Sequence, residues 1–153
     1  MSERRNELFI VDILVASFKI RYAIGAIQNS DDFLSDFMAF DVVLRELQII
    51  GEATNNLIKS GILDDTFRII VDFRNRITHE YFGIDHDIVW EVVQHDILLL
   101  VNTVNALICS APRDSFMLEA LECAINDYKK AGQLVVVDFI ADYKKTLSLS
   151  LVG

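Results

Sequence analysis

One proline and six glycines in 153 residues leave this chain few places to turn. Glycine and proline are the strongest local punctuation, so their scarcity predicts long helices joined by short connections. Apolar residues recur accordingly at helical spacing. In a first helix over residues 3–28, Leu8, Val11, Val15, Phe18 and Tyr22 make one stripe, and Ile10, Ile13, Ser17, Ile20, Ile24 and Ile27 make a second. A helix apolar on two sides buries both. One face is assigned to the bundle and the other to a candidate dimer contact.

Asn29-Ser30-Asp31-Asp32 reads as a turn with a capping residue that opens a second helix to residue 59. Phe37, Phe40, Leu44, Leu47, Ile50, Thr54, Leu57 and Ile58 share its apolar spacing, Gly61 supplies the C-cap, and Arg45, Glu52 and Asn55 take the polar side. Asp64 or Asp65 starts a third helix, running to Tyr81 and stopped by Gly83. Asp85 caps a fourth, reaching residue 108, with Ile88, Val92, His95, Leu99, Asn102 and Ala106 on one face and Val89, Val93 and Leu100 beside it, where His95 reads as a satisfied core histidine. The fold class is all-α, an antiparallel four-helix bundle.

Composition narrows the function. Apolar residues make up 52% of the chain and charged residues 24%, rich enough in apolar surface to point to a partner subunit. A net charge of −9 argues against a broad basic face for duplex nucleic acid but leaves room for a small basic cleft. Met1-Ser2-Glu3-Arg4-Arg5 leads into an amphipathic segment, without the apolar core or cleavage site of a signal peptide. The most apolar run, 97–111, reads as too short to span a bilayer, so no membrane contact is expected. Cys109 and Cys123 fall in apolar surroundings and read as a buried, reduced pair, in keeping with the cytoplasm.

The chemistry concentrates in Phe73-Arg74-Asn75-Arg76-Ile77-Thr78-His79-Glu80-Tyr81-Phe82-Gly83. Arginine binds phosphate through a planar fork of donors, and histidine moves protons near neutral pH. The bland reading is a capping cluster, positive charge at a helix C-terminus. At ~100° per residue, Arg74 and His79 stand ~140° apart on a straight helix. Either the helix deforms near His79 or the cleft is shared by two chains. Arg76 and Glu80 have the spacing of a surface ion pair. His79, Glu80 and His86 do not have the His-Glu-x-x-His spacing of zinc hydrolases, and neither a metal site nor a cofactor motif is expected.

The pattern Arg-Asn-x-x-x-His-x-Tyr resembles the signature of the HEPN ribonuclease toxins, in particular the HepT-like branch. Leu44-Arg45-Glu46-Leu47-Gln48-Ile49-Ile50-Gly51-Glu52-Ala53 is similar to that family's second-helix motif. Tyr81-Phe82-Gly83-Ile84-Asp85 with Ile88-Val89-Trp90 is similar to its third-to-fourth helix junction. The likeness runs from Leu8 to Ile108.

This resemblance implies a HEPN-type bundle in a homodimer, with paired motifs lining a cleft along the two-fold axis. It implies metal-independent endoribonuclease activity with Arg74 and His79 as catalytic residues. Asn75, Arg76 and Arg45 would position the phosphate or support the site, Arg45 and Glu52 doing so from the second helix. It further implies a prokaryotic toxin–antitoxin module, in which a partner MNT-type nucleotidyltransferase silences the toxin by attaching AMP to Tyr81. The competing expectation is a non-catalytic HEPN-fold scaffold or binding protein; a purely structural helical dimer is a third. Gly51 reads as a close-packing residue.

Pro112 falls where the resemblance stops, dividing the chain into a bundle, 1–111, and a C-terminal extension, 112–153. Asp114 caps a helix from Ser115 to Ala131, closed by Gly132. Beyond it, 134–140 is rich in β-branched residues and 146–152 alternates as a strand would. Against that, Ile125-Asn126-Asp127-Tyr128-Lys129-Lys130 recurs nearly unchanged as Ile140-Ala141-Asp142-Tyr143-Lys144-Lys145, favouring a helical pair to about residue 145 that packs on the bundle or dimer.

Overall fold

The computed structural model describes residues 4–110 and 115–150. Among them every regular element is helical: α1 (Asn6–Ile24), α2 (Ser30–Ser35), α3 (Phe37–Lys59), α4 (Arg68–His79), α5 (His86–Glu91), α6 (Ile97–Ser110), α7 (Ser115–Lys130) and α8 (Leu134–Ser150). A π-helical turn, Val92–Asp96, joins α5 to α6 without a break. Helices α1, α3, α4 and the continuous α5–α6 form the bundle, with α3 packed between α1 and α4.

Side-chain caps set most boundaries. Asn29 accepts from the backbone N–H of Asp32, Asp64 from that of Thr66, and Asp85 from that of Asp87. Each satisfies an N–H that the first turn of a helix leaves free. Asp36 adopts a non-helical backbone and accepts from the N–H of Ala39. The expected second helix is therefore cut into α2 and α3, and Phe37 turns outward. Gly61 and Gly132 take positive φ at the ends of α3 and α7, a conformation that costs glycine little. The third helix ends at His79 rather than Tyr81; Tyr81–Gly83 follows as a 3-10 turn.

The two apolar faces of α1 are both buried, as expected, but not as expected on a partner. One packs on α3 and α6, the other beneath α7 and α8. Phe18 stacks on Phe139 with ring centroids 4.2 Å apart. Met117, Leu121, Ile125, Val137 and Ile140 complete that contact. Helix α8 runs through the ambiguous segment, so the repeated hexapeptide and not the β-branched run decided its structure. The boundary at Pro112 and the Asp114 cap lie outside the described residues.

Three more expectations are corrected. The apolar run at 97–111 is part of a single helix, His86–Ser110, of 25 residues, long and apolar enough by length and composition to cross a membrane. The π turn lies within it and rotates the register. Val89, Val92, Ile97, Leu100, Val104 and Ile108 are buried, whereas Ile88, His95, Leu99, Asn102 and Ala106 are exposed. His95 is thus no core residue; it faces Glu91 at 3.2 Å on the surface. Cys109 and Cys123 are free thiols but exposed, because both fall on the outer faces of their helices.

Within the core, Glu46 is the one buried acid among the described residues, with the Lys19 ammonium 4.0 Å away. Burial lifts its carboxyl above the usual glutamate range, and Lys19 and Arg45 offset that only in part. A raised pKa favours the fold below the ordinary glutamate value, and that contribution is lost as pH rises through the folded value. Glu46→Gln should therefore raise the melting temperature at pH 7 and give a smaller gain near pH 4, read by calorimetry at both.

Candidate active site

Arg74 lies where α4 crosses α3. Its stem rests directly on Gly51: a Cβ there would come within 2.3 Å of the Arg74 Cβ and 2.7 Å of its Cγ. The Arg74 Nη1 donates to Glu52 Oε2 at 2.7 Å, and its Nε is buried without a hydrogen-bond partner. A charge-assisted contact of that length fixes the guanidinium plane. Arg45, Gln48, Arg74 and Thr78 line one groove of about 380 Å³ together with Glu52 and Arg4. Arg4 is paired with Asp12 and Arg74 with Glu52, while Arg45 makes no ion pair among the described residues. The structure thus brings Arg45 and Arg74 together from two helices.

His79 is the last residue of α4, exposed, and does not line that groove. Helix α4 is regular α-helix from Arg68 to His79. The deformation that would have brought the imidazole to the arginine within one chain is absent, so the two side chains leave the helix in different directions. Asn75 and Arg76 are also exposed. Asn75 makes no hydrogen bond to His79. Arg76 does not form the expected pair with Glu80; it lies over the Phe73 ring, 6.0 Å from its centroid.

Tyr81 follows in the 3-10 turn, 41% exposed. Its hydroxyl donates to Asp41 Oδ1 at 3.1 Å, and this hydrogen bond, with slight desolvation, raises the phenol above its ordinary pKa. The next ring, Phe82, is 101% exposed and stands edge-on to Tyr81.

The family model described as "Ribonuclease HepT-like" matches residues 13–107. The chain belongs to the HepT-like ribonuclease family. A Methanocaldococcus jannaschii relative named "Putative RNase MJ1380" is 32% identical over 100 residues, spanning 63% of this chain and 91% of the relative. The Thermococcus cleftensis protein named "Probable ribonuclease HepT" is 36% identical over 70 residues, 44% of this chain and 64% of that one. A Caldanaerobacter subterraneus protein named "Putative RNase TTE0752" is 32% identical over 81 residues, 51% of this chain and 72% of the relative. No solved structure matches the chain.

On this HepT-like bundle, sequence reasoning missed Asp41 as the partner of Tyr81, since forty residues separate them and nothing in the helical pattern of α3 singles it out. The close packing read at Gly51 is borne out, and the group that packs there is the stem of Arg74. Among the described residues, no three His, Cys, Asp or Glu side chains converge as a metal set would require. Removing the Tyr81 hydroxyl with Tyr81→Phe breaks one exposed hydrogen bond and should cost about 1 kcal/mol or less in urea unfolding.

Proposed function

We propose that this protein is the metal-independent endoribonuclease of a prokaryotic HepT–MNT toxin–antitoxin module, acting in the cytoplasm as a homodimer. The observation that carries the reading is the division of labour within α4: a preorganised Arg74 in the α3–α4 groove and an exposed His79 turned away from it. Two such motifs facing each other across a two-fold axis would supply to one phosphate what a single straight helix does not. The exposed apolar side chains Ile88, Leu98 and Leu99 on α5–α6 and Phe82 beside the site support a partner surface, and an apolar, homodimeric contact accounts for them without a membrane. The free thiols Cys109 and Cys123 support a reducing compartment.

The reaction follows from these side chains. Neutral His79 takes the proton from a ribose 2′-OH, and that oxygen attacks the adjacent phosphorus. Arg74 meets the added negative charge on the non-bridging oxygens, with its fork already oriented. The bond from phosphorus to the 5′-oxygen of the next nucleotide breaks, water in the cleft supplies the proton the departing oxygen takes up, and His79 returns its own proton to solvent. The products are a 2′,3′-cyclic phosphate and a 5′-hydroxyl. Arg45 and Asn75 steady neighbouring phosphates; Arg76, lying on Phe73, has the smaller part. DNA lacks the attacking hydroxyl and should survive.

Tyr81 suits regulation by adenylylation. Its oxygen would attack the α-phosphorus of ATP in a partner nucleotidyltransferase, pyrophosphate would leave, and the phenol proton would pass to Asp41, the carboxylate already hydrogen-bonded to it. An anionic nucleotide beside His79 would then occupy and neutralise the phosphate site.

Two experiments test this. Purified protein in EDTA should cleave total RNA to 2′,3′-cyclic ends, and His79→Ala or Arg74→Ala should each lower the rate by about 10²–10⁴-fold while staying folded. Full activity in both variants would sink the assignment, and an inactive wild type free of AMP would favour the scaffold reading. With the cognate transferase and ATP, intact mass should rise by one AMP group on Tyr81, faster in wild type than in Asp41→Asn; an unmodified Tyr81 peptide would end the regulatory half.

A further inference from the structure

We propose that Gly51 and Glu52 are positioning residues for Arg74: the glycine opens the surface of α3 on which the arginine stem lies, and the glutamate fixes the guanidinium at its end. This inference rests on the assignment of Arg74 to RNA cleavage.

Gly51 sits inside a 23-residue helix, where glycine is a poor choice for local stability. What it permits is contact. The Cβ of any other residue would press on the Cβ and Cγ of Arg74, at 2.3 and 2.7 Å, and would approach the Ile70 carbonyl at 3.5 Å. Those arginine atoms are at the root of the side chain and cannot swing aside as its tip would. A larger residue at 51 must therefore push α4 away from α3, and the displacement falls on Arg74 itself. Helices normally pack with axes about 8–10 Å apart, and a missing side chain is how two backbones approach closely.

Glu52 is the next residue along and flanks the same contact. Its Oε2 accepts from Arg74 Nη1 at 2.7 Å, and its Oε1 accepts from Asn56 Nδ2 at 3.4 Å. Asn56 Nδ2 also donates to the Glu52 carbonyl at 2.9 Å, so the helix steadies the carboxylate in turn. With Nε buried and Nη1 engaged, the fork is held along one edge, and its remaining donors belong to the groove shared with Arg45, Gln48 and Thr78. A donor fixed before the reaction needs no reorganisation when charge develops, so its loss appears in turnover more than in binding. An acid whose role was to block the arginine would behave oppositely: its removal would raise cleavage.

The test uses the full-length protein as wild type, Gly51→Ala, Glu52→Gln and Arg74→Ala, with Arg74→Ala combined with each of the others. RNA cleavage gives kcat and KM, and arginine-labelled ¹⁵N spectra report the guanidinium resonances of Arg74 directly. Gly51→Ala and Glu52→Gln should each lower kcat by about tenfold or more, as small misplacements of a catalytic group do, with KM little changed. Neither should lower the rate further once Arg74 is alanine. The separate, slowly exchanging Arg74 Nη signals of wild type should merge in both variants. Glu52→Gln keeps the size of the side chain, so it decides the matter if Gly51→Ala fails to fold. Unchanged or raised kcat in Glu52→Gln, or losses that add fully to that of Arg74→Ala, would overturn the proposal. If wild type cleaves no RNA, the functional reading fails by itself, and Arg74 resonances unaffected by Gly51→Ala and Glu52→Gln would separately overturn the positioning role.

Discussion

The crossing of α3 and α4 at Gly51 is the contact on which the rest of the site depends. Because no side chain stands between the helices there, the stem of Arg74 lies flat on α3 and its charged end emerges beside Glu52. An exposed ion pair of this kind adds little stability, commonly ~1 kcal/mol or less. Its value here is geometric: a long, flexible side chain becomes a fixed donor. Core residues on either side keep the crossing in register, Ile50, Leu57, Ile70, Phe73 and Ile77 all being buried. The same packing leaves the opposite faces of α4 to solvent, where Asn75, Arg76 and His79 are carried.

That arrangement separates what one chain provides from what a pair would. A regular helix cannot turn both Arg74 and His79 toward one phosphate, and α4 is regular through both. Meanwhile α7 and α8 cover the second apolar face of α1, removing the surface that the sequence pattern offered for pairing. Exposed apolar side chains remain on several helices, among them Phe37 and Met38 on α3, Leu134 on α8 and Leu98 and Leu99 on α6, but Phe82 is the one next to Tyr81. An assembly that buries side chains near Phe82 would draw two α4 C-termini toward each other, which is the geometry the chemistry asks for.

The bundle was legible in the sequence because its apolar residues keep helical spacing and its turns carry asparagine, aspartate and glycine where caps are needed. Departures came from features that spacing alone does not encode. One residue's backbone at Asp36 splits a helix, and past the π turn at Val92–Asp96 the buried residues are Ile97, Leu100, Val104 and Ile108 rather than Leu99, Asn102 and Ala106. Arg74, His79 and Tyr81 stood out as a motif, and the family resemblance added Arg45 and Glu52, which the structure places beside Arg74. Asp41 reaches Tyr81 only through the tertiary fold, and the close packing read at Gly51 did not name Arg74 as the residue that lies on it. Helical period reports which face is apolar; it is silent on which residue of a neighbouring helix arrives there.

In the proposed homodimer, Arg74 of one protomer works with His79 of its partner. Mixing separately purified Arg74→Ala and His79→Ala proteins under conditions of subunit exchange tests it most directly. A mixed dimer retains one intact Arg74 and one intact His79, on different chains. RNA cleavage, lowered about 10²–10⁴-fold in each variant alone, should recover on mixing. Subunit exchange verified by native mass spectrometry with no recovery of cleavage would contradict it.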